Sequence, residues 1–407
     1  MKTLLLAALS AWVCSAAIPL TEYQARRAAL REKLGAAVFV IHGKTEAAGH
    51  EDRDGFFQEP NFYYLTGWTE AGAVLMLTPE GETLFLPKRN PAMDKWHGAR
   101  GSAEDPNIRE RTGVARVVSM EQFAAEWKKA IAAHPKLYGI EGEPGLAKLK
   151  EGAKEFADAK LEIARLRMKK SPAELGMMER SIAATLEAHR ASWKKTQPGL
   201  NEYHVANEMM RVYRDAGCER NAYPPIVGAG PNSVLLHYNE NRRKMDTGEV
   251  LLMDVGAECG MYAADITRTI PVNGKFTARQ KEIYELVLGA QKAAIAAAKP
   301  GVMLTGKENS LWKVAFDYFE AHGKMGKYFT HGLGHHIGLE VHDAWDAKMP
   351  LAPGMVVTIE PGLYLPEEGI GVRIEDMILI TETGAKVLSE ALPREIAAIE
   401  EAMKKRK

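Results

Sequence analysis

The sequence predicts an α+β protein in two parts, a smaller N-terminal α/β domain and a larger C-terminal domain of helices and paired strands. Three observations carry that expectation. Helical and strand patterns alternate from Leu20 to Leu166. The run Lys169-Lys170-Ser171-Pro172-Ala173-Glu174 combines a capping serine, a proline suited to the first helical position and a capping-box acid, so it marks a boundary and starts a long helix. Beyond it, helices and strand pairs come in two rounds, with acids on the strand pairs. A chain of 407 residues is long enough for more than one core.

In chain order, Met1-Lys2-Thr3 is a short cationic leader, Leu4 to Val13 is an apolar stretch too short to span a bilayer, and Ser15-Ala16-Ala17 supplies small residues for cleavage. Residues 1–17 therefore read as a secretory signal peptide, 18–168 as the N-terminal domain and 169–407 as the C-terminal domain. Cys14 follows Trp12-Val13, a poor lipoprotein context, so a soluble exported protein, periplasmic or extracellular, is expected. After cleavage Cys218 and Cys259 remain. They could pair in an oxidising compartment, although sequence alone does not bring their sulfurs together.

Leu20 to Leu34 reads as a helix and Ala36 to Ile41 as a strand. His50 to Trp68 mixes charges with aromatics, and Arg53 and Asp54 within it read as structural. Ala71 to Leu77 and Glu82 to Leu86 form a strand pair around the turn Pro79-Glu80-Gly81. The helix opened by Ser171 runs towards Lys195, and Asn201 caps a second one ending at Gly217. Thr277 with Gln280 opens a third that continues to Pro300-Gly301, and a fourth pattern spans Lys307 to His322. Composition is that of a globular protein, 46% hydrophobic and 26% charged, with 53 basic and 53 acidic residues. That balance, without a long basic run, points away from nucleic acid and from acidic membrane surfaces.

The chemistry lies in the strand pairs. Val250 to Met253 is an apolar run ending on Asp254, and Tyr262 to Thr269 resumes as a second strand carrying Asp265. Aspartates near glycines are commonly turn or capping residues, so this hairpin alone does not make a site. A later hairpin repeats the arrangement: Met355 to Ile359 ends on Glu360, and the return arm carries Arg373, Glu375 and Asp376. Between them Thr330 to Asp343, THGLGHHIGLEVHD, holds His331, His335, His336 and His342 among glycines. Four clustered carboxylates cannot all stay ionised alone, whereas two divalent cations would offset them. Oxygen-rich ligation with one imidazole suits Mn²⁺, and Zn²⁺, Co²⁺ or Fe²⁺ fit as well. Bridging carboxylates on two metals would yield hydroxide near neutral pH, which makes such a site hydrolytic.

At these residues the sequence resembles the pita-bread metallopeptidases, and most of all their Xaa-Pro aminopeptidase and prolidase branch. RDGFFQEPNFYYLTG, LLHYNEN, LMDVGAECGMYAADITRTIPVNGKFT, HGLGHHIGLEVHD, TIEPGLY and GVRIEDMILIT match in order and spacing over nearly the whole mature chain. The resemblance implies a pita-bread catalytic domain behind a creatinase-like N-terminal domain, and the metal ligands Asp254, Asp265, His335, Glu360 and Glu375. It implies that Asp265 and Glu375 bridge the metals, that Asp254 completes one site and that His335 and Glu360 complete the other. Glu360 would also pass a proton to the leaving amine. His237 and His342 would line the pocket and stabilise the oxyanion, while His331, Tyr364 and Arg373 would support neighbours or touch substrate. His336 and Asp376 read as structural. Trp96 reads as an ordinary packed tryptophan, with cover over a neighbouring subunit's pocket as the alternative. The implied activity is release of the N-terminal residue from peptides with proline second. Prolidase is the alternative, and a non-catalytic binding module on the same fold is the distant one. Methionine aminopeptidase and metal-free creatinase fit less well, because of the N-terminal domain and the full ligand set. A homo-oligomer is compatible with this reading.

Overall fold

The computed structural model of the chain describes residues 17–46 and 55–404. Residues 1–16 of the expected signal peptide, with Cys14, lie outside the described residues, as do Arg53 and Asp54.

The N-terminal part is a mixed six-stranded sheet: β1 (Val38–His42), β2 (Val74–Thr78), β3 (Gly81–Leu86), β4 (Arg116–Ser119), β5 (Lys136–Gly139) and β6 (Glu155–Asp158), in the order β4-β3-β2-β1-β5-β6. The expected hairpin is the antiparallel β2–β3 pair, in register from Val74 opposite Phe85 to Thr78 opposite Gly81. Alternation along the strands sends successive residues to opposite faces. Phe39, Ile41, Leu75, Leu77, Leu84 and Leu86 belong to the large apolar cluster that continues into the C-terminal half. Val38, Val40, Val74, Met76 and Phe85 instead pack with Trp127, Ile131 and Leu149. The helix Leu20–Leu34 covers the first face through Tyr23, Leu30 and Leu34.

The C-terminal half follows its caps. Ser171 and Glu174 form the expected capping box at the start of Pro172–Lys195, and Thr277 and Gln280 form another at Ala278–Ala297. Pro172–Lys195 packs on Glu202–Asp215, and Ala278–Ala297 packs on Leu311–Ala321, so two helix pairs flank the strands. Val250–Val255 pairs with Ile266–Pro271, and Val356–Ile359 pairs with Asp376–Ile380. Cys218 and Cys259 are joined by a disulfide.

Two expectations are corrected. The stretch from Tyr262 to Thr269 is not one strand: it divides into Tyr262–Ala263 and Ile266–Pro271, with Asp265 in the break. The Ala263 N–H leaves the hairpin for the Gly338 carbonyl, at 2.8 Å. The Asp265 N–H faces the Met377 sulfur at 3.4 Å, so the ladder lapses where the carboxylate is delivered. Trp96 is not packed; it is 79% exposed. Its short helix Pro91–His97 has almost no buried face, since Pro91, Ala92, Met93 and Lys95 are exposed too.

The tip of the first hairpin depends on close backbone approach. A Cβ on Gly256 would sit 1.8 Å from the Ala264 carbonyl oxygen, which is backbone and cannot rotate away. Gly256→Ala is therefore expected to destabilise the protein by about 3 kcal/mol or more, read as a lower midpoint in chemical denaturation. An unchanged midpoint would contradict the approach.

Candidate active site

Each acid occupies a place where a strand stops or falters. Asp254 is the next-to-last residue of Val250–Val255, opposite Thr267, and Asp265 sits in the break before Ile266. Glu360 follows Val356–Ile359 and Glu375 precedes Asp376–Ile380. The two hairpins are laced together. The Glu375 N–H donates to the Thr267 carbonyl at 3.0 Å, the Thr267 hydroxyl donates to Glu375 Oε2 at 2.7 Å, and the Thr269 hydroxyl donates to the Arg373 carbonyl at 3.0 Å. The glycine-rich segment is pinned to the second hairpin. The His335 N–H donates to Thr358 Oγ1 at 3.0 Å and the Glu360 N–H to the Leu333 carbonyl at 2.8 Å. Only glycine suits position 334, where a Cβ would lie 2.0 Å from the Thr358 carbonyl oxygen.

The result is a cavity of about 260 Å³ lined by the carboxylates of Asp254, Asp265, Glu360 and Glu375 and by His335. Ligand atoms of Asp265, His335 and Glu375 all lie within 4.8 Å of one another. His335 Nε2 is 3.3 Å from Asp265 Oδ2 and 3.6 Å from Glu360 Oε1. The five predicted ligands thus converge from separate segments. His331, His237, His342 and Arg373 line the same cavity. His331 Nε2 lies 2.8 Å from the Tyr364 hydroxyl, and Arg373 donates to that hydroxyl at 2.8 Å and to Asp254 Oδ2 at 2.5 Å. His237 and His342 are exposed at the mouth, with the His342 ring edge-on to His335 at 4.2 Å between centroids.

Electrostatics separate the acids. Burial raises the Asp265 carboxyl well above the usual range, and the charges of Asp254 and Glu360 add to it. Burial likewise raises Glu375 well above its ordinary value, reinforced by Asp265 and Glu360, and Glu360 is also raised, first by burial. Burial acts in the same direction on Asp254, but the Arg373 guanidinium and the Tyr223 hydroxyl outweigh it and hold this carboxyl below its ordinary value. Burial and Arg373 lower His331 to about 4, so its ring is neutral at physiological pH. One acid is thus neutralised internally by Arg373, while three crowd together without a cation of their own. That donor set, oxygen-rich with a single imidazole, fits divalent cations.

The residues read as structural behave differently. His336 is buried and stacks on Trp345 at 5.3 Å. Asp376 is fully buried, taking hydrogen bonds from Arg268 at 2.8 Å, Ser389 at 2.6 Å and Gln291 at 2.9 Å. Sequence reasoning missed three supporting hydroxyls. The Tyr223 hydroxyl donates to Asp254 Oδ1 at 2.5 Å and also to Asp265. Thr267 supports Glu375, and Thr358 lies 3.4 Å from Glu360 Oε1. The threonines stand two residues from Asp265 and Glu360, so strand alternation could have flagged them. Tyr223 precedes Pro224-Pro225 in an irregular stretch and gives no such signal. Behind His342, Asp343 is buried between Lys170, at 2.7 Å, and Arg167. Arg167 also reaches Glu340 at 2.8 Å and Asn61 at 2.6 Å.

Residues 176–382 match Metallopeptidase family M24, and residues 23–138 match the N-terminal domain of aminopeptidase P. This chain belongs to metallopeptidase family M24. Within the family it is 35% identical to a Xaa-Pro aminopeptidase of Haemophilus influenzae over 86% of this chain and 88% of the relative. It is 36% identical to a Xaa-Pro dipeptidase of Pyrococcus horikoshii over 82% of this chain and 91% of that one. Escherichia coli aminopeptidase P, solved with the inhibitor Pro-Leu, superposes with a TM-score of 0.87 at 30% identity, covering 95% of this chain and 98% of that chain. The fold is accordingly the pita-bread metallopeptidase fold with its N-terminal domain, and the family implies divalent metal.

Proposed function

We propose that this M24 enzyme is an exported aminopeptidase that releases the first residue of peptides whose second residue is proline. The observation that carries the reading is the convergence of Asp254, Asp265, His335, Glu360 and Glu375 in one cavity flanked by His237 and His342. The Xaa-Pro aminopeptidases among the relatives support the specificity. Asp254, Asp265, His335, Glu360 and Glu375 would hold two divalent cations, with Mn²⁺ preferred for the oxygen-rich set. When bound, the cations supply Lewis-acid activation of water.

The protein's own groups do the rest. The bond before proline is a tertiary amide, and its nitrogen, like that of any amide, must gain a proton as it leaves. Glu360 lines the cavity beside His335 and is placed to take a proton from water and hand it to that nitrogen. His237 and His342 supply donors at the mouth for the charge that develops on the carbonyl oxygen. Arg373 and His331 line the cavity and both meet the Tyr364 hydroxyl, which keeps the guanidinium close to Asp254. The Cys218–Cys259 disulfide supports export to the periplasm or the extracellular space, since such bonds persist in oxidising compartments. Among the described residues no helix is long and apolar enough to cross a membrane.

The decisive assay compares a Xaa-Pro dipeptide with a Xaa-Pro tripeptide in the presence of added Mn²⁺. Cleavage of the tripeptide is expected. Turnover of the dipeptide alone would replace this reading with prolidase activity, in line with the Pyrococcus relative.

A further inference from the structure

His237 stands at the mouth of the carboxylate cavity on a segment with little regular structure of its own. Between the strand Ile226–Ala229 and Lys244, residues 230–243 form one 3₁₀ turn, Gly230–Val234, and no helix or strand beyond it. The His237 side chain is exposed, so its aim depends on how the backbone that carries it is held. From the cavity side the hold is slight: the Arg373 guanidinium reaches the Leu236 carbonyl at 3.4 Å.

The stronger hold comes from one side chain outside the cavity lining. Glu202, the first residue of the helix Glu202–Asp215, is fully buried. Its Oε1 accepts the Ala229 N–H at 2.8 Å and the Asn232 side-chain amide at 3.0 Å. Its Oε2 accepts the Tyr238 hydroxyl at 2.8 Å and the Arg243 N–H at 2.8 Å. The four donors lie at the start of the segment, next to His237 and at its end, and between them they fill both lone-pair positions of each oxygen. The Tyr238 hydroxyl in turn accepts the Arg242 N–H at 3.1 Å. Arg243 carries the contacts on to Glu249, at 2.7 Å, the residue before the strand that delivers Asp254. A buried carboxylate with every acceptor position engaged on one segment fixes the path of that segment, because any shift leaves donors and acceptors unpaired in the interior.

We infer that Glu202 is a positioning residue: through Tyr238 and the two ends of the segment it holds the His237 donor where charge develops on the carbonyl oxygen of the scissile bond. The inference rests on the peptidase reading and deepens it, since it names what aims one of the two donors assigned there. A donor to the developing charge acts in the transition state, so misplacing it lowers kcat and leaves KM nearly unchanged. Glu202→Gln sets an NH₂ group against two of the four donors, which loosens the segment while leaving every cavity-lining side chain in the sequence.

The test uses the full-length enzyme with Mn²⁺ and Ala-Pro-Ala, in a cycle of His237→Ala, Glu202→Gln and the double variant. His237→Ala is expected to lower kcat about a hundredfold and Glu202→Gln about tenfold or more, with KM within about twofold of the wild type in both. In the His237→Ala background, Glu202→Gln should add less than about twofold. Bound Mn²⁺ per chain should match the wild type in both single variants, which separates a displaced donor from a damaged ligand set. Equal losses from Glu202→Gln with and without His237, a fall in bound Mn²⁺, or an unchanged kcat in either single variant would each overturn the inference. If Glu202→Gln does not fold, Tyr238→Phe takes its place in the cycle, since it removes the hydroxyl next to His237 and keeps the half-buried ring. Its loss in kcat, about fivefold for one hydrogen bond, should likewise disappear without His237. Failure of the wild type to cleave Ala-Pro-Ala would defeat the peptidase reading itself, whereas cleavage with independent losses would defeat the Glu202 assignment alone.

Discussion

Glu360→Ala is expected to lower kcat by about 10²- to 10⁴-fold, the range for loss of a positioned proton-transfer group. The loss should persist when metal is added in excess, because the substitution removes a proton carrier as well as a candidate ligand. The local fold should tolerate the change. Glu360 follows its strand, and its N–H is held by the Leu333 carbonyl, a bond that does not depend on the side chain. Metal content should fall at the same time, since Glu360 Oε1 is 3.6 Å from His335 Nε2 in the shared cavity. A folded variant turning over an Ala-Pro tripeptide near the parent rate would refute the role.

Metal removal should cost more stability as pH rises. Asp265, Glu375 and Glu360 all have raised pKa values in the folded protein. The metal-free fold therefore retains protons that the unfolded chain has already shed. The stability they contribute is full below the unfolded carboxylate pKa of about 4 and is lost as pH climbs through the raised folded values. Asp254 runs the other way. Its lowered pKa contributes stability above the unfolded value, lost only as pH falls through the folded one. Cations displace the protons on the three raised acids, so binding releases protons and tightens with pH. Each cation at one hundred times its Kd adds about 2.7 kcal/mol. Melting curves with and without Mn²⁺ at about pH 6 and about pH 8.5 should show the wider gap at the higher pH. Equal gaps would mean that the acids are not coupled as described.

The fold was most legible where local chemistry decides the outcome. Ser171-Pro172 with Glu174, and Thr277 with Gln280, announce helix starts because capping satisfies backbone donors within a few residues. The acids at strand ends were legible for a similar reason, since a charge terminating an apolar run stands out. The break at Asp265 was not legible. It depends on Gly338 and Met377, which are distant in sequence and compete for the backbone donors on either side. Tyr223 was invisible because nothing in Ala222-Tyr223-Pro224 hints at two carboxylates opposite its hydroxyl. Trp96 misled because a large aromatic ring is ordinarily buried, while a seven-residue helix with almost no buried face offers no interior to enter.

The two family matches end at residue 138 and begin at residue 176, and the intervening span carries both cations that neutralise Asp343 beside His342. A chimera joined at those limits would bring in a foreign connector and strand that aspartate in the interior, at a cost of about 3–5 kcal/mol. The halves of this enzyme are therefore not interchangeable cassettes. Any graft between relatives has to carry the joint along with the partner it anchors.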